Sequence, residues 1–209
     1  HLRTRRQRQM CIRDRTRPLL IGTGPIDGGS QYNVSVSNDG QTVYLASIQY
    51  GVTIFDVTDP SAPVQKGTLT REGTAYPLGM VESADGNTLY VAAYEFFVSI
   101  DVSDKDNPIQ NYSVGTGGLY SWDIVLSSDE QTAFLASGSY VKIYDISDPL
   151  QAVLITDFVS SGDNDDDGTT DGTARSLRIS ADGNTLYVAN GGEGTRIIDI
   201  SDVSSPQLM

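Results

Sequence analysis

The segment LRISADGNTLYVAN (177–190), followed closely by TRIIDISDVSSP (195–206), decides how this 209-residue chain folds. It contains short apolar runs rich in Val, Ile, Leu and Tyr, separated by an Asp-Gly turn and closed by a second Asp-containing turn. β-Branched and aromatic residues favour strands, and Asp-Gly supplies the left-handed backbone of a tight hairpin. The segment therefore predicts consecutive antiparallel strands.

The same pattern occurs three more times along the chain. The aspartates of the first turn lie 46, 44 and 53 residues apart, and they are Asp39, Asp85, Asp129 and Asp182. The aspartates after the second apolar run lie 45, 44 and 54 residues apart, and they are Asp56, Asp101, Asp145 and Asp199. Two markers with one period indicate a repeat protein, in which each unit covers the apolar faces of its neighbours.

Each repeat predicts four short strands, the fourth being the weakest and typified by VQKGTLT (64–70). In TLYVA (185–189) the residues on both faces are apolar, which is typical of a strand in a sheet packed between two other sheets. Four strands in about 45 residues predict the blade of a β-propeller. The third repeat has Glu130 where the others have the turn glycine, so we expect this turn to be strained or of another type.

The repeat also sets the predicted boundaries. We predict an all-β, partial β-propeller of four-stranded antiparallel blades over 18–209, with blades at approximately 30–70, 76–114, 120–159 and 173–209. Residues 18–26 are expected to be the last strand of a preceding blade, because PLLIGT (18–23) matches PVQKGT (63–68). The expectation is a fragment of about four blades and a fraction, from a parent with about six to eight blades.

Residues 1–17 are excluded from the predicted fold. They are basic, show neither strand nor helix periodicity, and lack the apolar core of a secretory signal. They resemble translated sequencing-adapter sequence, so we interpret them as an unstructured, non-native tail. The alternative is a basic arm for nucleic-acid binding or targeting.

Composition excludes several function classes for the repeats. From Pro18 onward the chain has seven basic and twenty-six acidic residues, a net charge of −19, which disfavours nucleic acid and anionic membranes as partners. The only Cys and the only His are Cys11 and His1, so the repeats contain no disulfide, thiol nucleophile or Ser-His-Asp arrangement. No segment reaches the ~18 apolar residues of a membrane-spanning helix, so no membrane insertion is expected.

The TLYVA…RIIDISD…P pattern is similar to the LVIVD-repeat family, relatives of the YVTN and WD-repeat propellers. The resemblance covers Pro18 to Met209. It implies a bacterial or archaeal β-propeller that is extracellular, on the cell surface or periplasmic, of largely unassigned biochemistry. The motif is specific for the fold and says little about function.

Two rims of the predicted propeller differ in sequence variability. The recurrent Asp-Gly and Asp-Pro turns are expected on one rim, and the variable segments, such as AAYEFF (92–97), on the other. Insertions in repeat proteins tend to map to a binding face, so we expect ligands at the variable rim. The aspartates that follow the second apolar run recur in every repeat, which favours a role in tying turns over a role in catalysis.

The insertion GDNDDDGTTDGT (162–173) carries the strongest chemical signal. Alternate carboxylates followed by glycine form an oxygen cage for a hard cation, and the segment resembles the calcium loops of EF-hand-like and thrombospondin-type repeats. The candidate Ca²⁺ ligands are Asp163, Asp165, Asp167, Thr169 (through its carbonyl) and Asp171. Ala174 stands where a bidentate carboxylate is expected, so the site is weak or its shell is completed by Asp171 and water. The alternative is a solvated acidic loop.

A second candidate site lies at the entrance to the first strands, around the expected axial channel. Its residues are Tyr32, Tyr76, Tyr120, Trp122, Asp123 and Arg175. Arg175 stands where the other repeats have Tyr32, Leu78 and Trp122. Aromatic rings with one Arg and one Asp suit a glycan or a small organic ligand, and the alternative is packing between blades.

These observations favour a noncatalytic extracellular or cell-surface module that binds a protein or glycan and is supported by Ca²⁺. The alternative is a propeller enzyme, lactonase- or hydrolase-like or quinone-dependent, with catalytic residues partly in blades outside this chain. A third possibility is a purely structural surface-layer or adhesin segment, which would have no defined ligand.

Overall fold

The structure, a computed structural model, describes residues 20–24, 30–48, 50–70, 76–160 and 172–209. The described residues form sixteen strands and one 3-10 turn, Gly191–Glu193. None of the helical structure among them is long and apolar enough to cross a membrane. The non-native tail predicted at 1–17 lies outside the described residues.

The strands form four sheets of four, which we number as blades 1 to 4. Blade 1 contains β1 (Gln31–Val36), β2 (Thr42–Ser47), β3 (Gly51–Asp56) and β4 (Val64–Leu69). Blade 2 contains β5 (Pro77–Glu82), β6 (Thr88–Ala93), β7 (Phe96–Asp101) and β8 (Ile109–Gly115). Blade 3 contains β9 (Ser121–Leu126), β10 (Thr132–Ser137), β11 (Tyr140–Asp145) and β12 (Val153–Val159). Blade 4 contains β13 (Ala174–Ile179), β14 (Thr185–Asn190), β15 (Thr195–Asp199) and β16 (Gln207–Leu208).

Each blade pairs its strands antiparallel in chain order, as the repeat predicts. The first strands of neighbouring blades contact one another, β1 with β5, β5 with β9, and β9 with β13. These first strands therefore form the inner edge of an arc of sheets. The predicted all-β fold, a partial β-propeller, is confirmed.

Three apolar clusters hold the four blades together, one at each interface. Between blades 2 and 3, for example, Phe97 and Tyr90 pack with Tyr144 and Leu135. Along β6, Leu89 and Val91 belong to the cluster with blade 1, whereas Tyr90 and Ala92 belong to the cluster with blade 3. The prediction that second strands are covered on both faces is correct for the two inner blades. Burying one such large side chain contributes about 1.5–3 kcal/mol.

The two end blades depart from that prediction. In β14, Leu186 and Val188 are fully buried, but Tyr187 is 43% exposed. In β2, Val43 and Leu45 are only half-buried, and in the adjacent β1 Val34 and Val36 are 58% and 56% exposed. The cause is geometric, because within the described chain no further sheet covers the outer face of blade 1 or of blade 4.

The Asp-Gly turns have the backbone that the sequence predicts. Gly40, Gly86 and Gly183 have φ between +73° and +77°. Glu130 takes the same place in blade 3 with φ +55° and makes the same N–H to Ser127 carbonyl hydrogen bond, so the turn is strained rather than of another type. Its carboxylate accepts a hydrogen bond from the Ala84 N–H at 2.6 Å, which ties blade 3 to blade 2 and offsets the strain.

Residues 20–24 lie beside blade 1 without forming a strand. The expectation of a last strand of a preceding blade at 18–26 stays a prediction, because its partner strand would belong to that preceding blade. The contacts of residues 20–24 still follow the repeat. A Cβ on Gly22 would meet the Pro60 carbonyl, just as a Cβ on Gly67 would meet the Lys105 carbonyl of blade 2.

Candidate functional site

The loops between second and third strands lie at the same rim as the entrances to the first strands. Backbone hydrogen bonds join them, from the Tyr94 N–H to the Tyr76 carbonyl at 3.1 Å and from the Gly138 N–H to the Tyr120 carbonyl at 3.0 Å. The Asp-Gly and Asp-Pro turns adjoin one another at the opposite rim, as the Val57 N–H to Gln41 carbonyl bond shows. The predicted separation into a recurrent rim and a variable rim is confirmed.

Every first strand carries a β-bulge at the same position. In blade 1, Gln31 pairs with Ser47 and Asn33 pairs with Ala46, so Tyr32 has no partner in the ladder. The residues bulged in the same way in blades 2, 3 and 4 are Leu78, Trp122 and Arg175. A bulge re-aims a side chain without ending the strand. The repeat thus presents one variable residue per blade at the inner edge of the arc.

Three of these bulged residues, Tyr32, Leu78 and Trp122, open onto a cavity of about 460 Å³ at the variable rim. The residues that line it are Tyr32, Ile48, Tyr76, Leu78, Tyr94, Tyr120 and Trp122. Four predicted site residues, Tyr32, Tyr76, Tyr120 and Trp122, are therefore brought together. Five of the seven lining residues are aromatic and the other two are aliphatic, so the described wall offers no carboxylate, amine or imidazole.

The aromatic rings contact one another in sequence around the wall. The ring centroids of Tyr76 and Tyr94 are 5.7 Å apart, those of Tyr94 and Tyr120 are 4.2 Å apart edge to face, and those of Tyr120 and Trp122 are 5.9 Å apart and stacked. The Tyr94 hydroxyl donates to the Tyr120 hydroxyl at 2.9 Å. That hydrogen bond, with partial desolvation, raises the pKa of Tyr94 to about 12, so its hydroxyl stays neutral at physiological pH.

Two of these tyrosines hold an unfavourable backbone conformation. Tyr76 has φ +63° and Tyr94 has φ +38°, in the region that glycine normally occupies. Such conformations cost on the order of 1–3 kcal/mol each and cluster at functional sites. Because both strained residues line one cavity, the strain marks this wall of the site.

Arg175 and Asp123, the other two predicted residues, lie outside the cavity wall. The Arg175 guanidinium lies over the Trp122 ring, with its carbon 4.1 Å from the ring centroid. The Asp123 carboxylate faces blade 4, where it accepts from the Ser176 hydroxyl at 2.8 Å, the Leu177 N–H at 2.9 Å and the Arg178 guanidinium at 3.3 Å. Asp123 therefore joins two blades, which is the packing alternative stated above.

The recurrent aspartates tie turns, and none of them lines the aromatic cavity. Asp39 accepts from the Ser37 hydroxyl at 2.6 Å and from the Gln41 N–H at 2.9 Å. Asp56 accepts from the Thr58 hydroxyl at 2.6 Å and the Thr58 N–H at 2.9 Å. Hydroxyl hydrogen bonds, followed by backbone ones, hold the pKa of these carboxyls below the usual value in all four repeats.

These lowered pKa values predict loss of stability in acid. A carboxyl with a depressed pKa stabilises the fold above its unfolded pKa of 3.8, and that contribution is lost as pH falls through the folded value. We expect a melting temperature that is level near neutrality and falls steeply below about pH 4. Thermal melts followed by circular dichroism measure it. Ser180→Ala should return the pKa of Asp182, followed by NMR, towards 3.8, and a melting temperature unchanged in acid would contradict the assignment.

The predicted calcium ligands Asp163, Asp165, Asp167, Thr169 and Asp171 all lie outside the described residues. Among the residues that the structure does describe, no group of three or more Asp, Glu, His or Cys side chains is placed to hold a metal ion.

Sequence reasoning missed three residues of the cavity, Ile48, Leu78 and Tyr94. Ile48 and Tyr94 occupy one repeat position, nine residues after the turn aspartate, in the loop between second and third strands. Tyr94 lies within the variable segment AAYEFF (92–97), and Leu78 shares the repeat position of Tyr32 and Trp122. Combining the variable loops with the strand entrances would have found all three.

Solved structures with the same fold come from several organisms. A periplasmic gluconolactonase of Pseudomonas aeruginosa aligns with a TM-score of 0.68 and 16% identity over 84% of this chain and 55% of its own. A Lactobacillus plantarum protein aligns with a TM-score of 0.72 and 20% identity over 86% and 56%. The β-propeller domain of Myceliophteria thermophila Cps50 (Swd1) aligns with a TM-score of 0.64 and 14% identity over 81% and 55%.

The chain spans little more than half of the length of these structures. At such identities the likeness shows the fold, which is that of a β-propeller. No curated protein matches the chain in sequence. The family model for the LVIVD repeat matches residues 28–70, 83–116 and 171–209, more than half of the chain. The protein belongs to the LVIVD repeat family.

Proposed function

We propose that this chain is a noncatalytic binding module that holds a small ring-containing ligand, such as a sugar unit of a glycan, in the aromatic cavity. The observation that carries the proposal is the bulge repeated in every first strand. The bulge places one residue per blade at the inner edge of the arc, and three of those residues line one cavity. A bulge kept at one position while its side chain varies is typical of a recognition surface.

The chemistry of the wall suits a ligand with an apolar face and polar edges. Aromatic rings stack on the C–H face of a sugar ring or on a planar organic ring, and a cavity of this size holds a small ligand. Trp122 Nε1 is buried and has no hydrogen-bond acceptor among the described residues. Buried donors without an acceptor are rare in proteins, so an acceptor for this N–H would have to come from outside the described residues.

The side chains of the cavity wall favour a binding role over a catalytic one. General acid–base chemistry requires a titratable group within hydrogen-bond reach of the reacting atoms. The described wall carries only tyrosine hydroxyls, and the pKa of Tyr94 is raised away from neutrality. The recurrent carboxylates belong to the opposite rim.

A lactonase-like enzyme is the second candidate, because one structural relative is a periplasmic gluconolactonase. Such an activity would need groups from residues outside the described wall. Incubating the chain with glucono-1,5-lactone, against buffer alone, separates the candidates. We expect hydrolysis at the buffer rate, and a clear acceleration that Tyr120→Leu removes would favour the enzyme.

Trp122, the only tryptophan of the chain, reports directly on the cavity. We expect neutral and acidic mono- and oligosaccharides of glucose, added at millimolar concentrations, to change its fluorescence in a saturable way. Tyr120→Leu removes the ring stacked on Trp122 and should weaken binding about 10-fold, since one stacked ring is worth roughly 1–3 kcal/mol. Tyr187→Leu, on the outer face of blade 4, is the matched control. The proposal fails if no sugar changes the fluorescence, or if both variants bind alike.

Calcium is proposed as a structural support, on the spacing of the carboxylates in 162–173 alone. Ca²⁺ that binds the folded chain raises its stability by mass action, about 2.7 kcal/mol at 100 times the Kd. We expect a chelator to lower the melting temperature by several degrees, with Ca²⁺ restoring it and Mg²⁺ restoring less. The double variant Asp165→Asn, Asp167→Asn should melt at the chelated temperature whether or not Ca²⁺ is present. Equal melting with and without chelator would remove calcium from the proposal.

An extracellular, cell-surface or periplasmic location is part of the same proposal. The support is the strong negative charge of the repeats and the periplasmic origin of one structural relative. The full-length reading frame tests it, because an export signal in frame with the repeats is expected.

A further inference from the structure

Five of the six described basic side chains are neutralised by an acid. The ion pairs are Lys66–Asp106, Lys105–Glu82, Lys142–Asp157, Arg178–Asp123 and Arg196–Glu193. The sixth is Arg175, which makes no ion pair or hydrogen bond with any described residue. In a chain with twenty-six acids after residue 17, an arginine without an acidic partner among the described residues differs from every other described basic side chain.

The position of Arg175 links this difference to the aromatic cavity. It is the bulged residue of blade 4, at the repeat position whose side chains line the aromatic cavity in the other three blades. Its guanidinium lies 4.1 Å from the Trp122 ring centroid, and Trp122 forms part of the cavity wall. A guanidinium stacked on an aromatic face keeps its N–H groups at its edge, where they can bind an oxyanion in a bidentate way.

We infer that the ligand of the aromatic cavity carries a carboxylate that Arg175 binds, as in a uronic acid or another sugar acid. This inference rests on the proposed binding function of the same cavity and specifies its ligand. The ring of the ligand contacts the aromatic side chains of the wall, and its carboxylate lies at the blade 4 side of the cavity.

Because Arg175 is the single cationic side chain proposed to bind the ligand, a carboxylate is favoured over a phosphate as its anionic group. A phosphate monoester carries about −1.5 to −2 charges at neutral pH, and a chain of net charge −19 repels it more strongly than a monoanion. Phosphate sites commonly add backbone N–H groups at a helix N-terminus, and the described cavity wall is built from strands and loops. A single planar guanidinium matches the charge and the geometry of one carboxylate.

A matched pair of probes tests the inference. Methyl β-D-glucoside and methyl β-D-glucuronide differ only at C6, where a hydroxymethyl group replaces a carboxylate. Trp122 fluorescence should show the glucuronide binding about 10- to 100-fold more tightly, which is the usual range for one charged hydrogen-bonding group. Titrations in about 0.15 M salt limit the long-range repulsion by the acidic chain.

Three variants test whether Arg175 causes the preference for the glucuronide. Arg175→Gln should bring the glucuronide to the affinity of the glucoside and leave the glucoside within about threefold of its original value. Arg175→Lys keeps the charge but loses the planar fork, so it should retain only part of the preference. Lys66→Gln removes one positive charge far from the cavity and should change neither affinity.

The possible results separate the inference from the function on which it rests. Equal binding of the two probes, or a preference that survives Arg175→Gln, would overturn the carboxylate while leaving a sugar-binding cavity. Tighter binding of glucose 6-phosphate or of choline than of the glucuronide would overturn it in favour of a phosphate or a cation. Binding of no probe would count against the proposed function itself.

Discussion

Replacing Phe134 by alanine is expected to lower the free energy of unfolding by about 3–5 kcal/mol, the usual cost of removing a buried aromatic side chain. Phe134 is 1% exposed and lies in β10, the second strand of blade 3. It packs with Leu186 and Val188 of blade 4 in the cluster that joins the two blades. Because folded domains are marginally stable, a loss of this size leaves much of the chain unfolded. Urea denaturation followed by circular dichroism measures the change.

Tyr187→Ala is the matched control, because Tyr187 occupies the Phe134 position of the next repeat, five residues after the turn aspartate. Tyr187 is 43% exposed on the outer face of blade 4. Its loss should cost less than about 1 kcal/mol, as is usual for partly exposed positions. Equal effects of the two substitutions would mean that burial between stacked blades does not hold this chain together.

Replacing Asp123 by alanine is the second large effect, with an expected loss of about 2–3 kcal/mol. One oxygen of Asp123 accepts from the Leu177 N–H and the Ser176 hydroxyl, and the other accepts from the Ile124 N–H at 2.9 Å. Leu177 is fully buried, so its N–H would lose its acceptor inside the blade interface. A buried donor left without an acceptor costs about 1–3 kcal/mol, and hydrogen bonds to a charged group contribute somewhat more than neutral ones.

Arg178→Gln separates this hydrogen bonding from the ion pair of the same carboxylate. The Arg178 side chain is 74% exposed, and ion pairs at such positions contribute little. We expect a change of less than about 1 kcal/mol in the same urea experiment. A loss in Arg178→Gln as large as the loss in Asp123→Ala would show that Asp123 acts through its ion pair rather than through the Leu177 N–H.

The repeat logic of the sequence predicts the fold well, and physical reasons explain why. The turn aspartates, the Asp-Gly turns of three copies and the strands that are apolar on both faces are local signals, and their spacing agrees in all four copies. The exposure of Tyr187 could not be deduced in this way, since it depends on whether a neighbouring sheet is present rather than on the strand itself. The sequence predicts a strained turn at Glu130 as one of two alternatives. It does not predict the hydrogen bond from the Ala84 N–H to the Glu130 carboxylate, because these residues lie in turns of different blades.

The candidate site was only partly predictable. The entrances to the first strands contain five of the seven residues of the cavity wall, and four of these five are among the predicted site residues. The bulge that turns Tyr32 and Trp122 inward is a shift of pairing register, and QYNVSV (31–36) has no alternation that would reveal it. Asp123, one residue after the bulge, faces blade 4 for the same reason.

The bulge has a consequence for how such chains change over evolutionary time. Its residue takes no part in the ladder, so an exchange there leaves the neighbouring backbone pairs intact. Selection can then change which ligand the cavity binds, one blade at a time, with little loss of stability of the fold. A library randomised only at positions 32, 78, 122 and 175 would explore new ligands while nearly every member still folds.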